Sequence, residues 1–233
     1  MTWTNLLFAH WPVPADQMAQ LLPKDFAVDT YDAMAWVGVV PFRMEGVRLR
    51  HLPRVPGTSF FEEANLRTYV RDRKSNQQGV YFFSLDANNP PAVIAARTWY
   101  QLPYYFAQMH MQPENNTPNA GWRYTSKRLF TPQPAALRAQ YRGVGVEGRL
   151  PPSKPGTIEH FLTERYALFT GGTRGRLMRA DVHHPQWTLE PAEAEFEELT
   201  LPAAHAIKLP ATRPLLHFSR KLEVFAWSPV GVN

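Results

Sequence analysis

Glu63-Ala64-Asn65-Leu66-Arg67-Thr68-Tyr69-Val70, followed by Gly79-Val80-Tyr81-Phe82-Phe83-Ser84-Leu85-Asp86, is the stretch that decides the fold. In the first string Glu63, Asn65, Arg67 and Tyr69 fall on one side of an extended chain. Ala64, Leu66, Thr68 and Val70 fall on the other, the period of two that a β-strand imposes. In the second string Val80 and Phe82 point one way and Tyr81, Phe83 and Leu85 the other, so both faces are apolar and the strand belongs inside a sheet covered on both sides. Arg71 to Gly79 is polar and ends in glycine, which predicts a hairpin with a long solvated loop.

Working outward, Tyr31 to Phe42 is apolar on both faces and reads as a second central strand. Val47 to Leu52 alternates apolar residues with Arg48 and Arg50 and reads as half-exposed. His10-Trp11-Pro12-Val13-Pro14 is extended. Ala15 to Leu22 is a short helix, with Pro14 at its start and Pro23 ending it. Pro90-Pro91 opens a helix over Ala92 to Tyr100, and Thr157 caps one running to Phe169 and ending at Gly171-Gly172. Tyr104 to Met111, Trp122 to Phe130, Arg138 to Val146, Asp181 to Leu189 and Leu215 to Trp227 are further strands. Glu190 to Ala206 has a helical composition but no clean period. Strands neighbour strands without regular helical alternation. The expectation is an α+β protein built on a mostly antiparallel β-barrel or bent sheets, with three or four short helices. No linker or repeat divides residues 1–233, so one domain is expected.

Composition narrows the chemistry. The 233 residues are 44% hydrophobic and 19% charged, with no cysteine, which excludes disulfides, thiol catalysis and thiolate metal sites and fits a reducing compartment. The N-terminus has no basic region of a signal peptide, and the longest apolar run, Ala33 to Val40, is far short of the roughly 20 residues of a membrane span. The expected location is cytoplasmic, with no membrane partner. A net charge of +5 suits nucleic acid or small anions, but the basic residues are scattered and no nucleic-acid-binding motif accompanies them. His183-His184-Pro185, His160, His205 and His217 show no metal-ligand spacing. Ser59, Ser84 and Ser219 lack a nucleophile elbow, and the glycines form neither a dinucleotide fingerprint nor a P-loop. Neither metal nor cofactor is expected.

Six strings together carry a resemblance: His10-Trp11-Pro12-Val13-Pro14, Glu63 to Val70, Gly79 to Asp86, Leu102-Pro103-Tyr104-Tyr105, Phe161-Leu162-Thr163-Glu164-Arg165-Tyr166, and the surroundings of His184 and Trp187. In that order, over nearly the whole chain, they resemble the YqjF-like family of bacterial proteins without an established function. That family is in turn similar in fold to the acetoacetate decarboxylase-like superfamily, which implies a bent antiparallel barrel with an enclosed pocket, and self-association. The decarboxylases carry an arginine, then a proline six residues on, then two lysines, the first of which forms a Schiff base with the keto acid. Here Arg97 and Pro103 keep that spacing, but Tyr104 and Tyr105 stand where the lysines would be. The decarboxylase's pocket glutamate would fall on Glu63. A phenol cannot form an imine, so canonical decarboxylation is not expected; Lys127 is the nearest lysine in sequence.

The candidate site follows. Glu63 and Tyr104 are the acid/base candidates, and Arg67, Tyr69, Arg97 and Tyr105 the ligand-binding ones. Glu63 and Arg67 share a strand face about 13 Å apart along the backbone. On a buried face each must be paired or serve a ligand. Arg97, on a helix otherwise apolar, has two readings: a buried structural residue paired with Glu63 or Asp86, or a clamp for a carboxylate. Tyr104 and Tyr105 alternate, so only one can face the pocket. The expectation is a barrel that binds an anionic or polar aromatic small molecule. The alternative is a lyase- or hydrolase-like enzyme using Glu63 and Tyr104 without a Schiff base.

Overall fold

The computed structural model describes residues 1–47, 59–98, 102–115, 117, 120–145, 150–171 and 177–232. In chain order the elements are β1 (Thr2–Pro14), α1 (Ala15–Leu21), β2 (Phe26–Val28), β3 (Met34–Glu45), β4 (Phe60–Asp72), β5 (Gln78–Ala87), α2 (Pro90–Thr98), β6 (Tyr104–Pro113), β7 (Trp122–Arg128), β8 (Ala136–Gly143), α3 (Ile158–Thr163), β9 (Ala167–Gly171), β10 (Leu177–His183), β11 (Glu190–Leu199), a 3-10 turn at Ala203–His205, β12 (Leu215–Glu223), β13 (Phe225–Ala226) and β14 (Val230–Gly231).

Nine strands close a ring in the order β5-β6-β7-β8-β11-β12-β1-β3-β4 and back to β5. Strand direction cannot alternate all the way round an odd ring, so one neighbouring pair has to be parallel. It is β5 with β6, where Leu85, Asp86 and Ala87 oppose Tyr104, Tyr105 and Phe106. Parallel neighbours need a crossover, and α2 supplies it. The ring is filled by Leu7, Ala9, Val37, Leu66, Met109 and Leu137 among others.

The five strands β12-β1-β3-β4-β5 are covered on their other face too. β9 leaves β5 as a parallel neighbour at Val80↔Leu168, β10 pairs with β9, and β13, directly after β12, returns to pair with β10. Together with α3 and the segment around Trp187 they roof a second compartment, in which Phe8, Phe42 and Val40 pack with Val182, Trp187 and Leu189, and Tyr69 and Phe82 pack with Leu162. The strands read as apolar on both faces are thus the ones shared by two interiors. A register shift in the β4–β5 pairing, where Leu66 opposes Ser84 but Arg67 opposes Phe82, leaves Phe83 as the extra residue. Such a bulge bends a strand. It falls between the part of β5 that pairs with β9 and the part that pairs with β6.

Two expectations change, and one ambiguous segment takes a definite form. The long helix from Thr157 ends at Thr163, and Ala167–Gly171 is a strand, because β5 offers an unpaired edge there that takes up the apolar Ala167-Leu168-Phe169 run. The ambiguous segment from Glu190 is a strand as far as Leu199: Ala192, Ala194 and Phe196 pack on the core while Glu193, Glu195 and Glu197 alternate with them. The loop between β4 and β5 is shorter than expected, because both strands extend into it. The half-exposed strand expected at Val47 to Leu52 lies, beyond Val47, outside the described residues. No helix among the described residues is long and apolar enough to cross a membrane.

Candidate functional site

The face of β4 that carries Glu63, Asn65, Arg67 and Tyr69 looks into the second compartment, and all four residues are buried. The strand register lines up their neighbours. His10 on β1 opposes Gly38 on β3, which opposes Arg67. One row over, His217 on β12 opposes Phe8, and Val40 opposes Asn65. Gly38 is what lets the first row close up: a side-chain carbon there would stand 2.9 Å from His10 Nε2 and 3.3 Å from Arg67 Cγ. Phe8 is the floor of the cluster. Its ring stacks on His10 at 6.1 Å, lies 5.4 Å from the Arg67 guanidinium, and meets the edge of Trp187 at 4.8 Å.

At one end, Glu63 Oε2 accepts a 2.7 Å hydrogen bond from the Tyr104 hydroxyl. Glu63 is 3% exposed. Burial outweighs the hydrogen bonds from Tyr104 and Asn65 and, with Asp86 nearby, pushes its carboxyl up to about 7. Burial and the adjacent carboxylate push the Tyr104 phenol far above its ordinary value. At neutral pH the pair is therefore a phenol beside a carboxyl close to half-protonated, as an acid/base group requires.

At the other end, the Tyr69 hydroxyl donates to the Leu162 carbonyl at 2.7 Å and lies 2.6 Å from His10 Nε2. The Arg67 Nη2 group donates to the Leu162 carbonyl at 3.3 Å and the Tyr69 oxygen at 3.4 Å. Among the described residues no carboxylate pairs with Arg67, and its Nε has no partner. Arg128 and Arg165, whose side chains are also buried, hold Asp86 and Asp29. A guanidinium stays charged at any ordinary pH, so Arg67 is a buried cation that, among the described residues, the faces of Phe8 and Tyr69 and two neutral acceptors offset.

The other candidates separate. Tyr104 is the tyrosine that reaches this compartment. Tyr105 points to the opposite face, where its ring lies 4.0 Å from the Arg128 guanidinium and its hydroxyl meets Gln133. Arg97 is neither buried nor paired with Glu63 or Asp86. It is exposed in the last turn of α2, because that helix lies on the surface and buries Val93 alone. Asp86 belongs to Arg128 and Glu63 to Tyr104. The six lysines, Lys24, Lys74, Lys127, Lys154, Lys208 and Lys221, are all exposed, so none can supply an imine in the compartment. His10 and His217, not assigned to a site from the sequence, both line it.

The chain matches DUF2071, a family of uncharacterized conserved proteins, over residues 1–223. It belongs to that family. It is 40% identical over 226 residues to the uncharacterized protein YqjF of Bacillus subtilis (strain 168), an alignment covering 97% of this chain and 89% of that one. Among solved structures it is similar to an acetoacetate decarboxylase-like enzyme from Sphingomonas wittichii RW1, with a TM-score of 0.66 and 14% identity over 100% of this chain and 91% of the other. It is similar to the enduracididine biosynthesis enzyme MppR complexed with pyruvate, with a TM-score of 0.66 and 12% identity over 100% and 89%. Acetoacetate decarboxylase from Legionella pneumophila gives a TM-score of 0.62 and 11% identity over 100% and 88%. The expected family and the decarboxylase-like fold are both found. At these identities the structural likeness concerns the fold.

Proposed function

We propose that this protein binds a small-molecule carboxylate in the compartment between the five-strand sheet and its roof, with Arg67 as the anchor. The observation that carries this is Arg67 itself, a buried guanidinium with an unpaired Nε and no acidic partner among the described residues. A charge left in that state is costly unless something neutralises it, and a carboxylate matches the planar fork of a guanidinium. The apolar surfaces of Phe8, Val40 and Leu85 suit the carbon skeleton of such a ligand, aromatic or aliphatic. One of the similar folds was solved with pyruvate, itself a small carboxylate. The ligand is met as a free solute, and a cytoplasmic setting fits a cysteine-free chain.

Titration calorimetry with propionate and benzoate tests the reading. Both should bind the wild-type protein, and Arg67→Met should weaken them at least tenfold while keeping the circular dichroism spectrum. Equal binding to both proteins, or none to either, would sink it.

A second reading, an acid/base enzyme of lyase or hydrolase type working without an imine, rests on the carboxyl of Glu63 near 7 beside the Tyr104 hydroxyl. Turnover separates the two: Glu63→Gln would abolish it while leaving carboxylate binding at Arg67 in place.

A further inference from the structure

Hydrogen-bond arithmetic at Tyr69 fixes the protonation of His10. The phenol has one proton, and the Leu162 carbonyl at 2.7 Å can only accept. The 2.6 Å contact between the Tyr69 oxygen and His10 Nε2 therefore has the imidazole donating. A second proton on the ring is disfavoured by burial and by the Arg67 charge. His10 Nδ1 is then a bare lone pair on a side chain with 0% exposure, without a partner.

Two more buried polar atoms lack a partner. Asn65 uses its amide hydrogens on Glu63, and its Oδ1 is buried and unpartnered. His217 turns Nε2 toward Glu159 at 4.0 Å, and its Nδ1 is buried and unpartnered. His10, His217 and Asn65 all line the face around Phe8, next to Arg67. Among the described residues the compartment thus presents, beside the unneutralised Arg67, two unmet acceptors, an unpartnered His217 Nδ1 and, on the roof, the unmet indole N–H of Trp187. An unmet buried acceptor discriminates strongly for a ligand that brings a donor to it.

We infer that the ligand of this compartment is a hydroxycarboxylate, its carboxylate on Arg67 and a neighbouring hydroxyl donating to His10 Nδ1, with further hydroxyls able to reach Asn65 and His217. The side chains of His10 and Arg67 both stand over Gly38, and a hydroxyl on the carbon next to the carboxylate is the shortest link between the two groups. An oxo group at that carbon has no proton to give and meets His10 lone pair to lone pair. This inference rests on the proposed carboxylate site and deepens it.

The test needs the wild-type protein, Arg67→Met and matched ligands: propionate, pyruvate, lactate and glycerate, titrated by calorimetry in one buffer. Lactate should bind roughly tenfold or more tightly than pyruvate or propionate, about one hydrogen bond's worth of discrimination, and glycerate at least as tightly as lactate. If pyruvate or propionate binds as well as lactate, with the affinity lost in Arg67→Met, the carboxylate site stands and the hydroxycarboxylate inference falls. If none of the four binds, both fall.

Discussion

The Tyr104 hydroxyl donates to a Glu63 carboxyl 2.7 Å away that has almost no contact with water. The bond favours the ionised carboxyl, and burial opposes it and wins, so the proton leaves Glu63 near 7 and not near 4.5. Between those values the folded chain holds one proton more than the unfolded chain. Stability therefore falls as pH rises from about 4.5 to about 7, and the loss is complete above that window. About 2.5 pKa units correspond to a loss of roughly 3 kcal/mol. Glu63→Gln keeps an acceptor for Tyr104 and carries no charge. The variant should match the wild type in urea unfolding at pH 4.5 and exceed it by roughly 3 kcal/mol at pH 8. A difference between the two proteins that does not change with pH would show that Glu63 does not hold its proton as described. His10 and His217, both held below their ordinary values by burial, act at the acid end in both proteins and cancel in the comparison.

Arg67→Met should cost little stability for the opposite reason. Breaking a buried ion pair is expensive because a charge is left behind, but here the arginine is the unneutralised charge. Its removal leaves Tyr69 still donating to Leu162 and His10 still donating to Tyr69. The expected change in unfolding free energy is within about 1 kcal/mol of zero or favourable, read by urea denaturation without ligand. A loss of several kcal/mol would mean that a carboxylate balances Arg67 in the fold.

The sequence was most legible where period two is strict. Alternation along Glu63 to Val70 put Glu63, Arg67 and Tyr69 on one buried face, and the two-sided apolar pattern of Tyr31 to Phe42 and Val80 to Asp86 marked strands with two interiors. Tyr104 was legible as a candidate, but choosing it over Tyr105 needed the parallel register of β5 with β6. His10 was missed because nothing local shows that the facing residue is glycine, and so that an imidazole and a guanidinium share the gap. Arg97 was misplaced because a motif spacing says nothing about which way a nine-residue helix turns its last residue. The Glu193-x-Glu195-x-Glu197 alternation was a readable strand signal hidden by a composition that favours helices. Ala167-Leu168-Phe169 could not be read as a strand from its own residues, since it pairs with an edge nearly ninety positions earlier.

Tyr69 ties α3 to the sheet. Its hydroxyl spends its proton on Leu162 and is the acceptor for His10 and Arg67. Tyr69→Phe removes all three bonds, leaves the His10 donor unmet and leaves Arg67 Nη2 with the Leu162 carbonyl alone. The expected cost is about 1–3 kcal/mol, with faster amide exchange concentrated in residues 158–166. Uniformly faster exchange across the sheet would point to a packing defect and not to a lost tether.

The other interior has its own buried charge pair, and here the expectation is the reverse of that for Arg67. Arg128 gives Nε to both oxygens of Asp86 at 2.9 Å and Nη2 to Ser84 at 2.6 Å, with neither charged side chain reached by solvent. Burial pushes the Asp86 carboxyl up and Arg128 pulls it back. Every arm of this arrangement is met within the protein, Nη1 facing His205 at 3.4 Å, so it calls for no ligand and serves as the polar closure of the ring where β5, β6 and β7 meet. Asp86→Asn leaves Arg128 charged and uncompensated in the ring and should cost about 3–5 kcal/mol. Replacing both, Asp86→Leu with Arg128→Met, removes both charges and should recover most of that loss. A double-mutant cycle in urea measures the coupling. Additive effects of the single substitutions Asp86→Leu and Arg128→Met would mean that the two side chains do not depend on each other, against the geometry that joins them.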